Sequence, residues 1–364
     1  MDIYEKLGVR KFINARGTQT RFGGAIMLPA VVDAMVAASK SSVYLAELQD
    51  VIGARIAAMT QNEAAIVTCG AAAGIVLAVS ACMTGDDRNK MASVPDTRGM
   101  KNEVIVQRHM RFDEDCVLKQ AGARIIEITG AGSLGEVELA AAIGPGTAAI
   151  FTTPWTGSNT IPLHSVVRLA RQRNIPVIVD AAAELPPSEN LWKFTKEAGA
   201  DLAIFSGGKG LRGPQSSGLV VGTRQIIEAM KMQASPHCYI GRPMKVGKEE
   251  MVGLYMAVEC LLASPDQERN DLFAKRMLHI ETHLRPFRFL EFKHEGSKLI
   301  ITWDEAACAT TAEEVAVRMR YGKPGIECVG WNGLRLNMEP LQVGEEEIVA
   351  SRLSEIMRLM KEQG

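Results

Sequence analysis

An aspartate and a lysine stand at the ends of two neighbouring apolar runs in this chain. Pro176–Asp180 (PVIVD) closes on Asp180, and Asp201–Ser206 (DLAIFS) is followed, after two glycines, by Lys209. In an open α/β sheet, ligands bind at the carboxyl ends of the strands, so both side chains are expected at one site. A lysine amine there can form an imine and then act as a base. A carboxylate there can keep a pyridine nitrogen protonated, so that the ring withdraws electrons from an attached carbon. Those are the two demands of pyridoxal-phosphate chemistry. Taken singly, Asp180 reads as a helix cap and Lys209 as a solvated loop lysine. Together, with Ser206-Gly207-Gly208 leading into the lysine, they point to pyridoxal 5'-phosphate held as a Schiff base on Lys209.

Other residues fit around that pair. Thr68-Cys69-Gly70-Ala71-Ala72-Ala73-Gly74 lies between an expected strand and an expected helix. Small residues let the backbone approach an anion, and the free N–H groups of a helix start bind phosphate. Gly70, Ala71 and Ala72 are therefore the expected phosphate turn, with Ser206 adding a hydroxyl; a close-packed helix turn is the alternative. Ala182 is expected under the ring, where only a small side chain fits. His109 follows the run Glu103–Gln107 (EVIVQ), where an imidazole stacks on the ring and moves protons, or else sits satisfied on the surface. Arg108 and Arg111 flank it, as anion ligands or as surface charge. Arg335, inside GLRLN, needs a partner for a charge within a strand; a substrate carboxylate and an ordinary ion pair both suit its fork. Arg16, in NARGT, is a second candidate for the substrate. Arg242, Lys245 and Lys248 form a basic cluster that either reaches a phosphate or is solvated. The remaining histidines and the cysteines suggest no metal site.

The elements that must position these residues alternate between β-rich runs and helical periods. Runs at 64–68, 103–107, 124–128, 148–152, 176–180, 201–206 and 217–221 are nearly continuous in apolar residues, as in a mostly parallel sheet covered on both faces. This is an α/β pattern. After about residue 245 come long helices at 249–263 and 266–284, strands at 298–303 and 333–337, and helices at 311–320 and 344–361. The expected division is an N-terminal segment, 1–45, packing with a small α+β domain at 246–364, around a large cofactor-binding domain at 46–245. Residues 85–101 read as a long loop.

Composition narrows the partners. With 41 Lys and Arg against 42 Asp and Glu, the net charge of -1 disfavours nucleic acid or a membrane surface, which call for a basic excess. Seven scattered cysteines and a charged, non-apolar start suit a reduced cytoplasmic protein.

FSGGKGLRGPQSSGLVVG, VIVDAAAELPP, the GAAAG turn and PDTRGMKNEVIVQRH together resemble the selenocysteine-synthase-related branch of fold-type I pyridoxal-phosphate enzymes. Within it the chain is most similar to D-glucosaminate-6-phosphate ammonia-lyases. The resemblance, running from about residue 10 to the end, implies a large α/β domain with a smaller C-terminal α+β domain and at least a homodimer. It implies that Lys209 carries the cofactor, Asp180 pairs with the pyridine nitrogen, and Gly70–Ala72 with Ser206 hold the phosphate. The expected reaction is α,β-elimination from a β-hydroxy α-amino acid, such as D-glucosaminate 6-phosphate, giving a 2-keto acid and ammonia. Amino-acid racemisation or epimerisation, a selenium or sulfur transfer, and a non-catalytic cofactor-binding protein are the alternatives. Bacterial selenocysteine synthases carry an added N-terminal tRNA-binding domain; this chain starts almost at the catalytic core, so tRNA is not the expected substrate.

Overall fold

The apolar runs form strands, and the computed structural model describes residues 2–111, 115–155, 157 and 160–361. In chain order the strands are β1 (Phe12–Asn14), β2 (Ala64–Thr68), β3 (Glu103–Gln107), β4 (Arg124–Ile128), β5 (Thr147–Thr152), β6 (Val177–Asp180), β7 (Leu202–Ser206), β8 (Gly218–Gly222), β9 (Glu291–Glu295), β10 (Lys298–Thr302), β11 (Gly325–Glu327), β12 (Val329–Gly330) and β13 (Leu334–Asn337). The chain divides into two units, Ile26–Ala263 and a smaller one made of Met1–Ala25 with Ser264–Gly364.

The large unit is built on a seven-stranded sheet of order β2-β8-β7-β6-β5-β3-β4. Strands β4, β3, β5, β6 and β7 run parallel, while β8 is antiparallel to both β7 and β2. Why the runs are apolar throughout is plain from where alternate residues go. Val177, Val179, Ala203 and Phe205 enter one core, and Ile178, Leu202 and Ile204 enter the core on the other side. Each face is covered by helices, among them Ala71–Thr84, whose residues are nearly all buried. Gly74 sits where that helix meets the sheet: a Cβ there would lie 2.9 Å from the Val220 side chain.

In the small unit, a four-stranded antiparallel sheet of order β12-β13-β10-β9 accompanies a parallel pair, β1 and β11. Its core takes Met277, Ile280 and Leu284 from the helix Asp266–Leu284, and Val349, Leu353, Ile356, Met357 and Met360 from the helix Glu345–Lys361. The helix Ala312–Arg320 begins at a capping box in which Thr311 Oγ1 accepts from the Glu314 amide and the Glu314 carboxylate accepts from the Thr311 amide.

The division differs from the sequence expectation at both edges. Residues 26–45 and the helix Lys248–Ala263 lie in the large unit, because the helix Pro29–Ser39 packs closely on Lys248–Ala263. Gly253 makes that approach possible: a Cβ there would stand 2.8 Å from the Met35 side chain. The stretch 85–101 is also not wholly a loop, since Arg88–Ser93 is a helical turn capped by Asp87, whose Oδ1 accepts from the Asn89 and Lys90 amides. No described helix is long and apolar enough to cross a membrane.

Candidate active site

Parallel pairing of β6 with β7 sets Asp180 beside Ile204, so Asp180 ends one strand while Lys209 follows the end of the next. The Asp180 carboxylate accepts from the Ala182 amide at 3.0 Å, which fixes one of its oxygens against the backbone turn that ends the strand. Lys209 is half-buried, on a turn whose small residues are required by close packing. A Cβ on Gly207 would lie 1.9 Å from Ser217 Oγ, one on Gly208 2.4 Å from Gln215 Oε1, and one on Gly210 1.9 Å from the Leu185 carbonyl oxygen. Side chains at these positions would displace the turn, and the lysine with it. Arg212, three residues on, holds φ +53, a left-handed conformation uncommon away from glycine.

On the other side, β8 joins the phosphate turn to the lysine strand. Gly218 is the register partner of both Thr68 and Ser206, so about two strand spacings, roughly 10 Å, separate those two residues. Gly218 must be glycine: a Cβ would lie 2.4 Å from the Gly70 carbonyl carbon and 2.7 Å from the Ala71 nitrogen. Gly70 is the N-cap of the helix Ala71–Thr84, with φ +115 and no side-chain cap, and a Cβ built there meets nothing within 4 Å. Open space in front of an uncapped helix start fits an anion held by backbone N–H groups. The residues present therefore suit a phosphate-bearing cofactor.

His109 lies in the short 3-10 turn Arg108–Met110 that follows β3. Burial holds its imidazole below the ordinary histidine pKa, favouring the neutral ring. The proton balance has a definite sign. The unfolded chain binds a proton at His109 near pH 6.5, which the folded chain resists, so this group's contribution is full above about 6.5 and is lost as pH falls toward the folded value. Thermal midpoints measured across that acid range should fall more steeply for the native chain than for His109→Gln; equal slopes would remove His109 as the cause.

Arg108 and Arg111 are drawn into surface ion pairs. Glu127 on β4 pairs with both, with Arg108 Nε at 2.7 Å and Arg111 Nη1 at 2.5 Å, and Arg111 also engages Asp115. Of the basic cluster, Lys248 pairs with Glu249, whereas Arg242 and Lys245 are exposed. Arg16 and Arg335 belong to the small unit. Arg335 Nε donates to the Trp331 carbonyl at 3.2 Å. Arg16 Nε is buried without a hydrogen-bond partner among the described residues. Burial, and then repulsion from Arg21, lower the Arg16 guanidinium from its usual pKa. One polar group passed over in the sequence also stands out. Thr153, directly after β5, buries a hydroxyl with no hydrogen-bond partner among the described residues, and β5 lies between the strands that lead to Asp180 and His109. Its only signal in the sequence was its place one residue past a strand.

Thus the structure brings Gly70, Ala71, Ala72, His109, Asp180, Ala182, Ser206 and Lys209 to the strand-end loops of one sheet. Comparison with known proteins agrees with this architecture. The model of the family described as SelA, L-seryl-tRNA selenium transferase, matches residues 12–288. A 5'-C-glycyluridine monooxygenase-decarboxylase from a Streptomyces species is 31% identical, over 97% of this chain and 92% of that protein. The D-glucosaminate-6-phosphate ammonia lyase of Salmonella typhimurium is 35% identical, over 71% of this chain and 69% of that enzyme. A solved structure of D-glucosaminate-6-phosphate ammonia-lyase superposes with a TM-score of 0.86, at 28% identity and covering 99% of both chains.

Proposed function

This chain belongs to the SelA, or L-seryl-tRNA selenium transferase, family, and from that premise we propose that it is a pyridoxal-phosphate-dependent ammonia-lyase. Its substrate would be a β-hydroxy α-amino acid of the D-glucosaminate 6-phosphate type, converted to a 2-keto acid and ammonia. The observation that carries this reading is the placement of Asp180 and Lys209 at adjacent parallel strand ends, beside the uncapped helix start at Gly70. When bound, the cofactor supplies an electron sink for the substrate's α-carbon.

The chain's own residues divide the remaining work. Lys209 Nζ would hold the cofactor covalently and, once released by the substrate amine, would take the α-proton. Asp180 would keep a proton on the cofactor's ring nitrogen, and the hydrogen bond from the Ala182 amide holds one of its oxygens in place for that role. The amides of Ala71 and Ala72 with the Ser206 hydroxyl would hold the phosphate, and the small side chain of Ala182 would leave room for the ring. The departing β-hydroxyl would take its proton from Lys209, which carries one after removing the α-proton, or from His109 in its protonated form. A small-molecule substrate and a homodimer complete the proposal.

A second reading is favoured by one observation. The monooxygenase-decarboxylase relative aligns over nearly the whole chain, so loss of the α-carboxyl group with oxygen uptake is the competing outcome. Incubating the purified protein with D-glucosaminate 6-phosphate should release ammonia and keto acid in equal amounts without oxygen. Release of carbon dioxide with oxygen consumption would favour the second reading, and exchange of the α-proton without either product would indicate a racemase.

A further inference from the structure

The small unit carries a cluster that the reaction above does not use. His279 and His283 stand four residues apart, so they share one face of the helix Asp266–Leu284. Glu347 meets them from the helix Glu345–Lys361, which packs alongside. One donor atom from each of the three lies within 4.8 Å of the others. We propose that these residues form a zinc-class divalent-cation site that fastens the two helices together.

The hydrogen bonds leave the ring nitrogens placed to receive a metal cation. His283 Nδ1 lies 2.9 Å from the His279 carbonyl oxygen. A carbonyl can only accept, so Nδ1 carries the hydrogen and, in the neutral ring, Nε2 presents its lone pair. That lone pair faces Glu347 Oε1 at 3.7 Å, an approach that a metal cation between the two atoms, like a second proton on the ring, makes favourable. Donation of the second ring N–H to a backbone carbonyl is the arrangement that orients metal-binding histidines. His279 Nε2 is buried and makes no hydrogen bond among the described residues, although Glu347 Oε2 is only 2.7 Å away.

The distances also suit zinc. Tetrahedral zinc with bonds of about 2.0–2.1 Å sets its ligands roughly 3.3 Å apart; His283 Nε2 lies 3.7 Å from Glu347 Oε1, while His279 Nε2, 2.7 Å from Glu347 Oε2, would move outward by a few tenths of an ångström on binding. Two imidazoles and one carboxylate are a zinc donor set, and the partial exposure of all three leaves water for the fourth position. The frame is rigid, because Met277, Ile280 and Leu284 pack in the core with Val349, Leu353 and Ile356. Neighbouring charges are otherwise engaged: Arg276 lies 3.6 Å from Glu346, and Glu281 holds His294 at 3.0 Å. The histidines suggest no metal site in the sequence, because the third ligand, Glu347, comes from far along the chain and only the fold brings it to His279 and His283.

The test uses the untagged, cofactor-loaded full chain, titrated calorimetrically with zinc at micromolar concentration. One zinc per chain should bind at this site, and the thermal midpoint should rise with zinc concentration. Replacing both histidines, as H279Q with H283Q, should remove that binding event and the thermal shift. Glu347→Gln, a milder change, should weaken binding by at least about tenfold. Retention of the cofactor's visible absorption band reports that each variant is folded. Binding to Glu347→Gln as tight as to the native chain would reduce the site to a surface histidine pair and overturn the proposal. Zinc uptake indifferent to the histidines, or none at all, would do the same. None of these outcomes bears on the lyase reading.

Discussion

Lys209→Ala should abolish the visible absorption band of the cofactor-loaded protein and lower turnover by at least about 10³-fold, because one side chain is both the attachment point and the base. The surrounding fold predicts that the loss is chemical. Lys209 is half-buried, and the turn that carries it is shaped by glycines 207, 208 and 210 and by the Arg212-to-Lys209 backbone hydrogen bond of 2.8 Å. None of these needs the lysine side chain, so the thermal midpoint of the cofactor-free variant should stay close to that of the native chain. A variant that keeps the band and the turnover would place the attachment on another residue.

The sequence made this site legible because its residues lie at the ends of strands buried on both faces. Alternate side chains of β6 and β7 feed two separate cores, which forces unbroken apolar runs that end where the polar residues begin. Strand β9 was illegible for the opposite reason: its residues are almost all exposed, so no alternation marks it. The helical turn Arg88–Ser93 is held to the core by one buried residue, Met91, too little for a periodic pattern. The unit boundary was misread because the contact between Gly253 and Met35 joins residues distant in sequence. Arg108 and Arg111 were ambiguous until pairing of β3 with β4 set Glu127 opposite Val106 and within reach of both.

Asp180→Asn is the second large effect. Asparagine keeps an oxygen that can accept from the Ala182 amide, so the strand end should hold its shape. It loses the negative charge that keeps the pyridine nitrogen protonated, and with it the ring's pull on the α-carbon. Turnover should fall by roughly 10²–10³-fold, the scale of removing one preorganised electrostatic partner, while the cofactor remains attached. Steady-state kinetics beside the absorption spectrum would separate the two effects. A variant with native turnover would mean that Asp180 is a strand-end cap alone, and an intact band with collapsed turnover is the expected result.

The assignment of Lys209 is tested most directly by reducing the cofactor-loaded native protein with borohydride and locating the fixed cofactor by peptide mass spectrometry. A single phosphopyridoxyl adduct on Lys209, within the sequence FSGGKGLR, is the predicted result. An adduct on another lysine, or none after reconstitution with pyridoxal phosphate, would contradict the account at its centre.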